Sequence, residues 1–286
     1  MVHPQFRRQG IFLAMKRSTY EQAKGDISLD FAIGSLKTPT SRGILKHLQY
    51  VYVGDVATLK RYLSPLSAIR ALSIQDEPTL PNVFNYVGSI TELLSITMQG
   101  ETVSLTGHLG KSNHSHNKER QIQVREIKPL RFEGDYDQLW QEVSESLPIA
   151  VVRNKEHLNW RYGNPCATFV AFRAEKDGGL CGYSILAYKT RGKLKIAWVA
   201  DLLAKDPTIM GLLLKECLRR AKQDNMHVVI MWDTRGTGKA LSRSLRLVRG
   251  WRKNPITAHF GDSQLPRDII SDIDNWYVTV GDFDWL

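Results

Sequence analysis

Apolar positions along the chain recur with two periods, and the switches between them mark out the elements. From about Gln9 to Lys24, Ile11, Met15, Thr19 and Gln22 fall on one helical face. Gly25-Asp26 stops that helix, and Leu29 to Ile33 make a short apolar strand. A polar turn from Lys37 to Ser41 starts a second helix ending near Gln49, and the β-branched run Tyr50 to Val56 predicts a strand. Between residues 74 and 107, Pro78 and Pro81 break the pattern, and Ile90 to Met98 has the length of a short helix. Residues 108–121, rich in His, Asn, Ser and Lys, hold too little apolar surface to pack and predict a linker.

A fresh pattern begins at Ile122. It predicts a strand to Leu130, helices over Tyr136–Ser146 and Lys155–Tyr162, and strands over Thr168–Ala174, Leu180–Tyr188 and Leu194–Leu203. Asp177-Gly178-Gly179 and Arg191-Gly192 suit hairpin turns between those strands. An amphipathic helix runs from Pro207 to about Asp224, with proline in its first turn. A strand (His227–Trp232), a helix (Thr237–Arg249), a strand near Trp251–Phe260 and a last strand (Trp276–Val280) follow. The expected fold class is α/β (α+β), a mixed sheet flanked by helices, divided into residues 1–107, a linker at 108–121, and residues 122–286.

Composition narrows the functional classes. No apolar run approaches the length of a membrane span, and the first residues lack the apolar core of a secretion signal. The three cysteines, Cys166, Cys181 and Cys217, have neither disulfide nor metal spacing, which suits reduced thiols in a cytoplasm. His108, His114 and His116 lie in the polar stretch with no cysteine or carboxylate to close a metal site, so no metal is expected. The C-terminal aspartates, Asp262 to Asp284, lack calcium-loop spacing. A net charge of +10 suggests an anionic partner. No basic tail or aromatic–glycine pattern accompanies it, which argues for a phosphorylated cofactor over nucleic acid. Arg235, Lys239, Arg243, Arg246, Arg249, Arg252 and Lys253 have no acidic residue among them, and Lys239, Arg243 and Arg246 are expected on one helix face. That face would suit a polyanion or a cofactor phosphate; an ordinary solvated helix is the plainer account.

The sharpest local signal is Val2-His3-Pro4-Gln5-Phe6-Arg7-Arg8-Gln9-Gly10-Ile11-Phe12. A strand end followed by a basic, glycine-containing turn into a helix makes an anion site. First-turn N–H groups and the helix dipole both favour negative charge there. Gly10 would let the backbone approach a phosphate, and Arg7 and Arg8 would add charge-assisted bonds.

This run resembles the acetyl-CoA loop of the GNAT acetyltransferase superfamily, written R/Q-x-x-G-x-G/A. Arg7 takes the Arg/Gln place, Gly10 the first Gly, and Phe12 the place of Gly or Ala. Residues 122–286 are similar to a GNAT-like domain through Leu158-Asn159-Trp160-Arg161-Tyr162, Gly182-Tyr183, Val199-Ala200-Asp201-Leu202-Leu203 and the closing Trp276 to Asp284. The resemblance implies one partial domain, with only Met1-Val2-His3 ahead of its loop, and one near-complete domain. It implies an acyltransferase that uses acetyl-CoA or another acyl-CoA and transfers to a small-molecule or peptide amine. The cofactor would be held by Val2, Arg7, Arg8, Gln9, Gly10, Ile11 and Phe12. Leu45 and Arg246 stand where many such enzymes carry a tyrosine acid, and no base can be nominated. In the second domain the loop is degenerate: Asp206 suits a helix entrance and opposes a diphosphate. Trp160 is expected to face the core beside a hydrogen-bonded Tyr162. Two other readings are an inactive GNAT-like binding module and a Fem-like aminoacyl transferase drawing on charged tRNA.

Overall fold

The computed structural model describes residues 5, 9–23, 29–34, 36, 39–64, 67, 122–163, 167–234, 241, 244–259 and 266–283. The segment 108–121, its three histidines, the short helix at 90–98 and Cys166 therefore lie outside the described residues. Helix α1 (Ile11–Ala23), strand β1 (Asp30–Ile33), helix α2 (Pro39–His47) and strand β2 (Val51–Tyr62) form the N-terminal part. Strand β3 (Gln123–Glu126), helix α3 (Gly134–Ser144), strand β4 (Ile149–Ala150) and helix α4 (Lys155–Tyr162) follow. The antiparallel meander β5 (Phe169–Lys176), β6 (Gly179–Arg191) and β7 (Leu194–Ala204) leads into helix α5 (Pro207–Gln223). Strands β8 (Val228–Asp233) and β9 (Val248–His259), helix α6 (Arg267–Ser271) and strand β10 (Trp276–Tyr277) complete the elements, with 3-10 turns at Ile273–Asn275 and Val280–Asp282.

Eight strands form one sheet in the order β1-β9-β2-β8-β7-β6-β5-β3. All neighbours are antiparallel except β7 and β8, which are parallel. The expected division at 108–121 does not divide this sheet. β2, from the N-terminal part, is inserted between β8 and β9, and β1 pairs with β9. The reason lies in pattern and reach. β2 buries Val53, Val56 and Leu59, and such a strand needs a neighbour on each edge as well as a covered face.

A helix followed by two strands occurs twice, with α2 between the strands of the first copy. α1, β1 and β2 begin at residues 11, 30 and 51, and α5, β8 and β9 at 207, 228 and 248, which are 196, 198 and 197 residues apart. β2 and β9 are each 12 residues long and lie side by side, antiparallel, at the centre of the two repeats. Each therefore pairs with the other repeat's short strand: β9 with β1, and β2 with β8.

Helix α5 packs on one face of the meander and α3 and α4 on the other. On α5, Ile209, Leu213, Leu214, Cys217 and Ala221 are buried, joining Val170, Phe172, Ala174, Leu186 and Ala197. On the opposite face Tyr136, Leu139, Leu158 and Tyr162 meet Ala171, Tyr183, Ile185 and Ala187. Alternation along β7 is broken once: Ile185 of β6 faces Asp201 while Leu186 faces Val199, so Ala200 is an extra residue. That bulge puts Ala200 in the α3/α4 layer and lets the next residue, Asp201, reach Tyr162 in the same layer.

The chain departs from its predicted elements in two places. The helix expected over Thr237–Arg249 gives way early, because Arg246 adopts a left-handed φ of 50° and Val248 already begins β9. Lys239 and Arg243 lie outside the described residues, and Arg246 is in a turn and not on a helix face. The strand expected over Trp276–Val280 keeps only Trp276 and Tyr277 as strand, parallel to β4. It then curls into the 3-10 turn, where Thr279 and Asp282 cap each other.

Candidate functional site

Two turns occupy equivalent places in the repeats, one opening α1 and the other opening α5, and their chemistry differs. At the first, Gly10 has φ 75° and a Cβ built on it would meet nothing within 4 Å. Its carbonyl accepts the Ala14 N–H at 3.0 Å, closing the first helical bond. The N–H groups of Ile11, Phe12 and Leu13 stand ahead of that bond, where an α-helix supplies no acceptor of its own. Gln9 is exposed and bonds the Gln5 carbonyl at 3.5 Å. Phe12 is exposed as well. Of the predicted cofactor residues, Gln9, Gly10, Ile11 and Phe12 thus come together, while Val2, Arg7 and Arg8 lie outside the described residues.

Helix α1 is tied to the sheet through few contacts. Lys16 Nζ lies 2.7 Å from Asp30 Oδ2 at the start of β1, and the same oxygen accepts the hydroxyl of Tyr50. The Tyr50 ring packs on His259 of β9, centroids 5.3 Å apart. Leu13 lies over Gly43 of α2, where a Cβ added to the glycine would stand 3.6 Å from its methyl carbons.

The second turn is closed to anions. Asp206, expected as a helix-entrance residue, accepts the N–H groups of Thr208 at 2.8 Å and Ile209 at 3.0 Å, with Pro207 following it. A carboxylate there uses the amides a phosphate would need and repels it. Beside this turn β7 and β8 part after Trp198 and Ile230. The gap is lined by Leu202, Met231, Asp233 and Thr234 and crossed by Tyr277 to Thr279. What remains is a cavity of about 30 Å³, room for one or two waters.

The segment that crosses the gap is held by a buried ionic cluster that sequence reasoning missed. Arg153, just ahead of α4, has no exposed surface. Its Nε donates to Asp201 Oδ1 at 3.0 Å, its Nη1 to the Val151 carbonyl at 2.7 Å, and its Nη2 to both Asp282 oxygens (2.9 and 3.1 Å) and to Thr279 Oγ1 at 3.2 Å. The guanidinium also lies 4.9 Å from the Tyr277 ring centroid. Burial opposes its charge, but Asp201 and Asp282 outweigh burial and hold Arg153 well above its ordinary pKa. Burial raises the Asp282 carboxyl despite Arg153, and it raises Tyr162, with Asp201 as the next cause. Tyr162 donates to Asp201 Oδ2 at 3.2 Å, while Arg161 donates to the Gly281 carbonyl at 2.6 Å and to that of Phe283. These contacts staple the C-terminal turn onto α4 and β7. Their role in the fold is structural.

Trp160 corrects an expectation. It is 75% exposed, whereas Tyr162 is buried as anticipated. Leu158 and Tyr162 define the buried side of α4, and Trp160 sits between them in sequence, about 200° round the helix from each. Cys181 and Cys217 are free and buried, and burial pushes the Cys217 thiol up to about 12, leaving it inert. Among the described residues no group of His, Cys, Asp and Glu could hold a metal, and no helix is long and apolar enough to cross a membrane.

No protein-family model matches the sequence, and no curated protein matches it by sequence. Solved structures do match the fold. A GCN5-related N-acetyltransferase from Anabaena variabilis aligns with a TM-score of 0.54 at 10% identity, over 91% of this chain and 53% of that one. An Enterococcus faecalis protein described as a probable N-acyltransferase aligns at 0.51 and 11% identity, over 96% and 53%. Saccharomyces cerevisiae N-myristoyltransferase with bound myristoyl-CoA aligns at 0.51 and 15% identity, over 91% and 58%. The chain therefore has the GNAT superfamily fold, and it spans little more than half the length of these structures.

Proposed function

We propose that this chain serves an acyl-CoA-dependent N-acyltransferase and takes its cofactor at the turn that opens α1. The observation that carries the reading is Gly10: a left-handed residue with open space on its Cβ side, directly ahead of the first-turn amides. Fold neighbours that include N-acyltransferases, one with myristoyl-CoA bound, support it.

In this reading the N–H groups of Gln9 to Phe12 donate to the cofactor's diphosphate, and Arg7 and Arg8 neutralise it. The backbone of Val2 aligns the arm that carries the acyl group. When bound, an acyl-CoA supplies a thioester carbonyl that an amine can attack. The chain's part is to bind and orient, which is where most of the catalysis of such a transfer resides. The acceptor would be a small-molecule or peptide amine, and acetyl-CoA is the first cofactor to try. A reducing cytoplasm suits the free, buried Cys181 and Cys217. Asp206, which takes the first-turn amides of α5, supports a single cofactor site per chain.

Calorimetric titration with acetyl-CoA, comparing wild type with Gly10→Glu, tests the reading. Binding of one equivalent by wild type, lost in a Gly10→Glu chain that still melts cooperatively, supports it. Equal binding by both proteins, or none by wild type, overturns it. Binding without turnover of any amine would favour the inactive binding module.

A further inference from the structure

The end of β2 away from Tyr50 carries an arrangement the cofactor reading leaves unused. Arg249 of β9 stands opposite Leu59 of β2, so Arg61, two residues on, shares its face and is its diagonal neighbour at about 7 Å. Arg61 Nη1 donates to the Arg246 carbonyl at 3.2 Å, which brings the two arginines together. Arg246 itself is held at a φ of 50°, a conformation that is strained for any residue but glycine. Among the described residues none of the three arginines has a carboxylate partner. Burial, followed by repulsion from Arg246, pulls Arg61 below its ordinary pKa. Like charges gathered at one end of a strand pair, one of them half-buried on a strained backbone, are the inverse of an ion pair: among the described residues no compensating charge is supplied, and an anionic ligand would supply it.

We infer that Arg61, Arg246 and Arg249 form a binding site for a phosphate-bearing small molecule, separate from the turn at Gly10. Guanidinium forks match the tetrahedral oxygens of a phosphate better than they match a lone carboxylate. Two of them on paired strands and one in the turn ahead of β9 suit one or two phosphates, where a nucleic-acid backbone would call for a longer track. The site does not depend on the cofactor reading.

Pyrophosphate is the probe, titrated by calorimetry into the Gly10→Glu chain so that the α1 turn contributes nothing, with wild type alongside. Arg61→Gln and Arg246→Gly are then added singly to that background. Each is expected to weaken pyrophosphate binding about tenfold or more, since each removes a charged hydrogen-bond donor. Arg246→Gly should do so without lowering the melting temperature, because glycine takes the left-handed conformation freely. Adenosine 3′,5′-bisphosphate binding more tightly than pyrophosphate would identify a nucleotide as the source of the phosphate; pyrophosphate alone would identify an inorganic or simple ester source. Unchanged binding in both variants, or no binding by the parent chain, overturns the site. Tight, steeply salt-dependent binding of an RNA duplex, lost in Arg61→Gln, would overturn the small-molecule assignment and give the face to nucleic acid.

Discussion

Replacing Arg153 by methionine removes the guanidinium that bonds both Asp201 and Asp282, whose side chains are 1% and 2% exposed. The side chain makes hydrogen bonds to Asp201, Val151, Thr279 and Asp282, and methionine can replace none of them. Two carboxylates are then left facing each other without a counter-ion. Breaking a buried pair in this way costs about 3–5 kcal/mol, equivalent to a fall of roughly 6–20 °C in melting temperature for a chain of this size. Urea denaturation followed by circular dichroism would measure the loss. A second substitution makes the reasoning sharper. Asp282→Asn in the Arg153→Met chain removes the repulsion and should recover about 1 kcal/mol or more, so the pair of changes is strongly non-additive. A loss below about 1 kcal/mol for Arg153→Met would show that the guanidinium does not hold the turn. Further destabilisation by Asp282→Asn in that background would refute the account of two uncompensated charges.

Three further outcomes follow from the same packing. Burial lifts the Asp282 carboxyl, so the folded chain keeps this proton at a pH where the unfolded carboxyl, of pKa about 3.9, has released it. The resulting stability is complete below that value and lost as pH rises through the folded one; Asp282→Asn should flatten this decline in a pH series of melting temperatures. A Cβ at Gly281 would stand 2.0 Å from Tyr162 Oη and 2.8 Å from the Ala200 carbonyl, so Gly281→Ala should cost about 1–3 kcal/mol in urea melts, and an unchanged midpoint would contradict that packing. Trp160→Ala should change stability by no more than about 0.5 kcal/mol, where a core tryptophan would cost about 3–5, and the same melts decide between them.

What could be read from the residues was local. The bounds of α4 were legible because Asn154 caps it, accepting the His157 N–H at 2.9 Å, and Gly163 follows it. Asp206 and Pro207 announced α5 in the same way. Hairpins at Asp177-Gly178 and Arg191-Gly192 followed from residues that tolerate positive φ, and Asp177, Gly178 and Gly192 all adopt it. Gly10 adopts it too. Pairings between distant segments left no such trace. Arg153 meets partners 48 and 129 residues away, and nothing near it marks an arginine among apolar neighbours as buried. The insertion of β2 between β8 and β9 was equally hidden, because an apolar alternating run specifies a face and not a neighbour. Trp160 is a different case. The 3.6-residue period that puts Leu158 and Tyr162 together also turns it outward, so its exposure could have been derived.

The place of β2 has a consequence for how the protein is made. β2 ends at Tyr62, yet the strands on either side of it, β8 and β9, are complete only at Asp233 and His259. At a synthesis rate of about 5–20 residues per second, the ribosome adds the intervening stretch in roughly 10–40 s. Throughout that time Val53, Val56 and Leu59 have been made and their final neighbours have not. An apolar strand with both edges open is what chaperones bind and what other nascent chains pair with. Neither repeat can finish its own sheet first, so the sheet is complete only once β9 has been made and paired with β2.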